Sequence, residues 1–472
     1  MATSLLSSPR GRQLLLIIVV GLVVPFALGS SFMVFNDGDV SWHVANGQWI
    51  LAHGQVPRTD HFSFTLPGQR WVSFEWLSDV LYGAAYNVSN YAGLAALVSA
   101  ALAAFYLTIL LHLRRFVGNR ALLATAILLS FVLIPFLSAR PHLLVWPILA
   151  LWTVIMMRAS DERRAPALGW SALILLWANL HGSWALGLAI AALFALDTVI
   201  AVKWERRALL GWLVFGLVST ALALLTPNLL DGFLHPLHVS QMATLQLVQE
   251  WRPSDLKTTP WFFAVLGVVV VALIWRRPKL SLVRAFLLAA LLAMALYQMR
   301  HQAALAIVAA IVLAPVFGRA AANDRVAEDP KQRRQLYVGL AAAVAVLALV
   351  RFALPLLPAE NEANPRRALA AIPPELRHQP VFNGYTLGGP LILAGTPVYI
   401  DGRQDFYGDR FLLDYKRMLD GDEPAFEAEA ARRGITWTIL PVKSAKLVPK
   451  LDKSPHWRRL YADSAVVIHV RP

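Results

Sequence analysis

The chain has 472 residues, 57% hydrophobic and 15% charged, with a mean hydropathy of +0.54. That balance excludes an ordinary soluble globular protein and points to a polytopic α-helical membrane protein. A net charge of +14 would suggest nucleic acid in a soluble chain, but in a membrane protein excess Lys and Arg gathers in cytoplasmic loops, so nucleic acid is discounted as a partner.

A membrane span needs about 20 mainly apolar residues. The N-terminal MATSLLSSPRGRQLLL has the basic flank of a signal sequence, but the apolar run after it is long enough to span and no small-residue cleavage site follows. This predicts an uncleaved first helix over 13–34. Ten further spans are expected over 91–113, 120–138, 142–158, 166–180, 183–202, 208–226, 261–275, 282–299, 302–318 and 336–356, about eleven in all. With Arg10, Arg12 and the N-terminus cytoplasmic, the alternate connections on that side are all basic. They carry Arg114, Arg115 and Arg120; Arg158, Arg163 and Arg164; Lys203, Arg206 and Arg207; Arg276, Arg277 and Lys279; and Arg319, Arg325, Lys331, Arg333 and Arg334. The positive-inside bias and the hydropathy count therefore agree.

An odd number of spans puts the C-terminus on the extracytoplasmic side. Residues 1–356 are expected to form the transmembrane module, with a first external loop over 35–90, and residues 357–472 an extracytoplasmic domain. In that last part PVYID (397–401), ITWTIL (435–440) and AVVIHV (465–470) alternate with FLLDYKRML (411–419) and PAFEAEAARR (424–433). Such alternation predicts a small α/β domain, joined through the Pro-rich linker LPLLPAENEANPRRA (354–368).

The external connections hold a different set of residues. FNDGDVSWH (35–43) brings Asp37, Asp39 and His43 to the end of the first span, and the same loop adds Glu75 among Trp42, Trp49, Trp71 and Trp76. SWHVANGQWILAH (41–53) has the spacing of a helix lying in the membrane interface. Later turns bring Arg140 and His142 in SARPH, His181 in NLHGSW, Glu250 in QEWRPSD, and Arg300 and His301 in YQMRHQ. Singly, each has an ordinary explanation as a helix cap, a lipid-phosphate anchor or part of an aromatic belt. Ionisable groups near membrane depth are costly, however, and their coincidence on one side argues for a shared cavity.

Two carboxylates one residue apart can share a divalent cation or divide labour, one orienting and one acting as a base. With no cysteine in the chain, oxygen ligands would suit Mg²⁺ or Mn²⁺ at Asp37 and Asp39. Arg and His opposite them would stabilise a departing phosphate. This fits transfer of a sugar from a polyprenyl-phosphate-linked donor to a glycan, lipid or protein acceptor.

An acidic motif opening a long first external loop, about eleven spans and an external C-terminal domain resemble the GT-C superfamily of integral membrane glycosyltransferases. The stretches DGDVSWHVANGQWILAHGQVPRTDHFSFTLPGQRWVSFEWLSD (37–79) and VFNGYTLGGPLILAGTPVYIDGRQDFYGD (381–409) resemble bacterial GT-C-like membrane proteins, and the resemblance covers nearly the whole chain. It implies a GT-C-like fold in the bacterial inner membrane, with Asp37 and Asp39 as the catalytic motif and Asp39 as the base. Oligosaccharyltransferases of the superfamily carry an aromatic-Asp-Tyr-Gly acceptor motif. Here Phe382-Asn383-Gly384-Tyr385 stands instead, so a sequon peptide is not expected as acceptor. Tyr385, Asp401, Arg403 and Asp405 are the candidates from the C-terminal domain; the carboxylates of DGRQDFYGD (401–409) would either face the cavity or cap the next helix. Two alternatives compete. A transporter would need ionisable groups in the middle of its spans, and a non-catalytic scaffold or sensor would use the α/β domain to bind a partner.

Overall fold

The computed structural model describes residues 9–277, 279–318, 330–443 and 445–471. Arg319 and Arg325 of the last basic connection lie outside the described residues.

Each expected apolar segment is helical. Gly11–Gly29, Trp76–Leu113, Asn119–Phe136, Pro141–Asp161, Trp184–Ala201, Arg206–Ala223 and Arg333–Ala353 are long and apolar enough to cross a membrane. Leu168–Leu180, Pro260–Arg276, Leu282–Tyr297 and Met299–Val312 are shorter than the ~20 residues a full crossing takes. Burial sorts them: 78% of the Pro141–Asp161 window is enclosed by protein, against 11% for Arg333–Ala353, so the former is central and the latter peripheral. The bundle core is Leu, Ile, Val and Ala with Trp152 and Trp177 fully enclosed.

The helix Trp76–Leu113 begins well before the expected span. Ser89 and Asn90 leave helical geometry, Asn90 with a φ of 49°, and this break falls at the expected boundary between loop and span. The Ser89 hydroxyl donates to the Phe352 carbonyl at 2.7 Å, tying the break to the last apolar helix.

The C-terminal part folds around a four-stranded sheet of β1 (Val381–Asn383), β2 (Trp437–Pro441), β3 (Arg458–Ala462) and β4 (Val466–Val470), in the order β1-β2-β4-β3. β1 and β2 are parallel and the other pairs antiparallel. A parallel pair needs a crossover connection, and the helices Gly388–Leu393, Gln404–Leu419 and Glu423–Arg433 supply it. β1, β2 and β4 are wholly buried and read as short apolar runs.

Two features of the first loop and the linker stand out. The helix Asp39–His53 is enclosed by protein along its first half: Val40 to Gly47 are all buried, and Trp42 with Trp71 joins the apolar core around the C-terminal sheet. Asn46 donates inward to Asp79 at 2.6 Å and Ser73 at 3.1 Å, while Gln48 and His53 stay at the surface. The linker is also strapped down, with Asn364 donating to the Phe35 carbonyl at 2.6 Å and Asn361 to Asn36 at 2.8 Å. Loop and domain further share backbone pairing, Phe64 N–H to Val398 O and Val398 N–H to Phe62 O, both at 3.1 Å.

Candidate functional site

The acidic motif is held by its surroundings rather than by its own loop. Gly38 and Gly389 meet backbone to backbone: a Cβ on Gly389 would lie 2.0 Å from the Gly38 carbonyl oxygen, and one on Gly38 would lie 2.0 Å from that of Thr386. Only glycine permits that approach. The Asp37 side chain accepts from the Asp39 N–H at 3.0 Å, and Asp39 opens the buried helix.

Arg140 precedes the helix Pro141–Asp161 and reaches into this motif. Its guanidinium lies 3.6 Å from Asp37, 3.3 Å from Asp39 and 3.4 Å from Glu250. Burial pushes the Asp39 carboxyl up to about 7 against the pull of Arg140, with Asp37 and Glu250 adding to the rise. Burial also acts on Glu250, but Arg140 and Arg300 outweigh it and hold that carboxyl below its usual value. Gly402 of the C-terminal domain closes the far side of Asp39, and a Cβ there would fall 1.7 Å from Oδ1. Tyr385 is adjacent, donating to the Gly402 carbonyl at 3.0 Å, with Asp39 and Asp401 within electrostatic reach.

A second polar chain lies beneath. His43 Nδ1 is 2.6 Å from Asp79, His43 Nε2 is 3.9 Å from Glu75, and His181 Nε2 is 3.3 Å from the other Glu75 oxygen. The Ser183 N–H donates to His181 Nδ1 at 3.1 Å, which assigns the proton of a neutral ring to Nε2, facing Glu75. Burial holds both His43 and His181 below the usual imidazole range and pushes Glu75 well above the usual carboxyl range, disfavouring the charged form of each.

Arg300 stacks over Trp251 at 4.0 Å and is within electrostatic reach of Glu250, Arg140 and Glu75. Among the described residues it forms no ion pair. His142 and His301 sit close by, but their Nε2 atoms face the Phe136 carbonyl at 2.7 Å and Gln298 at 3.1 Å.

The structure therefore brings Asp37, Asp39, His43, Glu75, Arg140, His181, Glu250 and Arg300 to one end of the bundle, with Tyr385. Asp401 and Arg403 turn inward instead. Arg403 binds Asp401 through two nitrogens at 2.7 and 2.8 Å, meets Asp60 at 2.7 Å, and stacks over Phe62, Trp71 and Phe406. Asp405 faces His235 at 3.4 Å. Arg403 thus ties the C-terminal part to the first loop, and Asp405 ties it to the helix Leu229–Ser240. Asp79, Trp251 and Gly402 were not foreseen as site residues, and no local motif distinguishes them.

As a metal site the acidic pair fits poorly. The focus of Asp37, Asp39 and Glu250 is filled by a guanidinium, and among the described residues no group of three or more His, Cys, Asp or Glu is placed to hold an ion.

The helical bundle, its polar end covered by a long first loop and a small C-terminal sheet, shares its fold with solved oligosaccharyltransferase structures. In particular, it is similar to the oligosaccharyltransferase of Archaeoglobus fulgidus in the apo form, at 12% identity and a TM-score of 0.53 over 90% of this chain and 70% of that one. AglB from the same archaeon, in complex with an inhibitory peptide and a dolichol-phosphate, matches over 98% of this chain and 74% of its own, again at 12% identity and a TM-score of 0.53. At that identity the likeness is one of fold. No family profile matches the chain, and no curated protein does.

Proposed function

We propose that this protein is a glycosyltransferase of the bacterial cytoplasmic membrane, moving a sugar from a polyprenyl-phosphate-linked donor to an acceptor at the extracytoplasmic face. The observation that carries the reading is Asp39: a carboxylate with its proton affinity set near neutrality, held against the Arg140 guanidinium at the polar end of an apolar bundle. A general base works best when poised near the operating pH. Asp39 takes the proton of the acceptor hydroxyl as that oxygen attacks the anomeric carbon, and the bond from that carbon to the phosphate oxygen breaks. Arg300, free of carboxylate partners among the described residues and braced on Trp251, meets the charge growing on the departing phosphate. Burial disfavours the charged forms of Glu75, His43 and His181, so these groups suit sugar hydroxyls better than phosphate.

The dolichol-phosphate held by the archaeal neighbour supports a lipid-phosphate donor here. The basic connections at the opposite end of the bundle support a cytoplasmic N-terminus, eleven crossings and an external C-terminal domain. Asn383 stands where the acceptor-reading carboxylate of the oligosaccharyltransferases would be expected, and its amide is spent on the Ile400 carbonyl and the Tyr399 N–H. A peptide acceptor is therefore not favoured over a glycan or lipid.

The test is transfer by the purified chain in liposomes, from polyprenyl-phosphate-linked sugars to candidate acceptors. Wild type is expected to transfer, and Asp39→Asn to lose activity by about 10² to 10⁴-fold while remaining folded. Undiminished transfer by that variant refutes the assignment.

A further inference from the structure

From the three-carboxylate grip on Arg140 we infer that this side chain is the built-in cation of the site, occupying the place where a divalent ion would otherwise bridge the acidic motif. The inference rests on the transferase reading for its catalytic meaning, though not for its geometry.

The three carboxylates come from two distant segments: Asp37 and Asp39 after the first helix, and Glu250 from the short turn Gln249–Trp251 far along the chain. All three place an oxygen within 3.3 to 3.6 Å of one guanidinium. With the guanidinium in place no three carboxylates among the described residues are placed to hold an ion; with it removed, three carboxylates free to close on the vacated point would be a hard-oxygen donor set of the kind Mg²⁺ and Mn²⁺ accept. The point is taken by a side chain anchored in the most enclosed helix of the bundle, next to Arg300, whose charge further disfavours a dication. Tyr82 fixes the backbone here, its hydroxyl donating to the Arg140 carbonyl at 2.9 Å.

The exchange has a chemical consequence. A carboxylate ligating a dication gives up its lone pairs to the metal and stays ionised far below neutral pH. A carboxylate beside a guanidinium is oriented and partly neutralised, yet can still take a proton. Arg140 is thus a positioning residue that acts through Asp39, whose other charged neighbours are Asp37, Glu250 and Asp401.

The full-length protein in detergent can be titrated with Mn²⁺ and followed by electron paramagnetic resonance, which requires no donor and no activity. Wild type and Arg140→Lys are expected to bind no Mn²⁺ below the millimolar range. Arg140→Ala should gain one site at least tenfold tighter, lost again when Asp37→Asn is added. Stoichiometric binding by wild type at micromolar Mn²⁺ overturns the inference, as does a folded Arg140→Ala that gains no site. Should the alanine variant not fold, Arg140→Gln takes its place with the same two outcomes. In the transfer assay, a chelator should leave wild type unchanged. Arg140→Gln should move the acid limb of the pH profile upward by a unit or more, a shift that a merely structural Arg140 would not cause. Chelator-sensitive transfer restored by Mn²⁺ also overturns the inference. A chain that transfers no sugar but still excludes Mn²⁺ until Arg140 is removed would sink the transferase reading and leave the built-in cation standing.

Discussion

Replacing Asp39 by Asn should make the protein more stable as it makes it inactive, and the gain should grow with pH. In the folded chain the Asp39 carboxyl titrates at about 7, against 3.8 when free, and its side chain is only 13% exposed. Below about pH 4 the group is protonated in folded and unfolded chains alike and contributes no difference. As pH rises from there toward 7 the unfolded chain ionises first and binds fewer protons than the folded one, so folding loses stability at 1.36 kcal/mol per unit. The loss reaches about 1.5 kcal/mol at pH 5 and levels off near 4 kcal/mol above pH 7. Asn mimics the protonated carboxyl in shape and cannot ionise, so it escapes the penalty, while Arg140 keeps Asp37 and Glu250. Thermal unfolding of both proteins in one detergent, followed by tryptophan fluorescence at pH 5 and pH 8, reads the difference. A variant that melts below wild type, or above it by the same margin at both pH values, would show that the charge on Asp39 is not strained and that the argument is wrong.

The same carboxyl predicts the pH course of transfer by wild type: the rate should climb about tenfold per unit from pH 5 and flatten near 7, and a flat profile would remove Asp39 as base. Gly402→Ala should cut transfer by about 10²-fold with a destabilisation of only about 1–3 kcal/mol, because the added methyl must displace the Asp39 carboxylate. Arg403→Lys is expected to cost about 3 kcal/mol or more, since Lys reproduces neither the two-nitrogen bond to Asp401 nor the stacking on three rings; a melting temperature equal to wild type would contradict this.

The helices were legible because an apolar stretch leaves little choice in a bilayer, where the backbone must satisfy its own hydrogen bonds. Asp37, Asp39, Arg140 and Arg300 were legible for the opposite reason, since charge at a helix end demands an account. The enclosure of the helix over 39–53 was not legible, because an aromatic face fits an interface and a protein core equally well, and the partners of Asn46 and Trp42 come from distant segments. Asp401 and Arg403 read as site candidates because charge density near a strand end marks structural ion pairs as readily as catalytic ones. Gly402 was invisible, as the significance of a missing side chain depends on which carboxylate lies opposite.

The contact between Gly38 and Gly389 also bears on when the protein becomes competent. The acidic motif emerges from the ribosome early, but its seat and far wall arrive only with residues 384–402. A nascent or truncated chain can insert its first helices and display Asp37 and Asp39 without enclosing them. A chain cut short before residue 384 therefore leaves the acidic motif without the glycine contacts that seat and cover it.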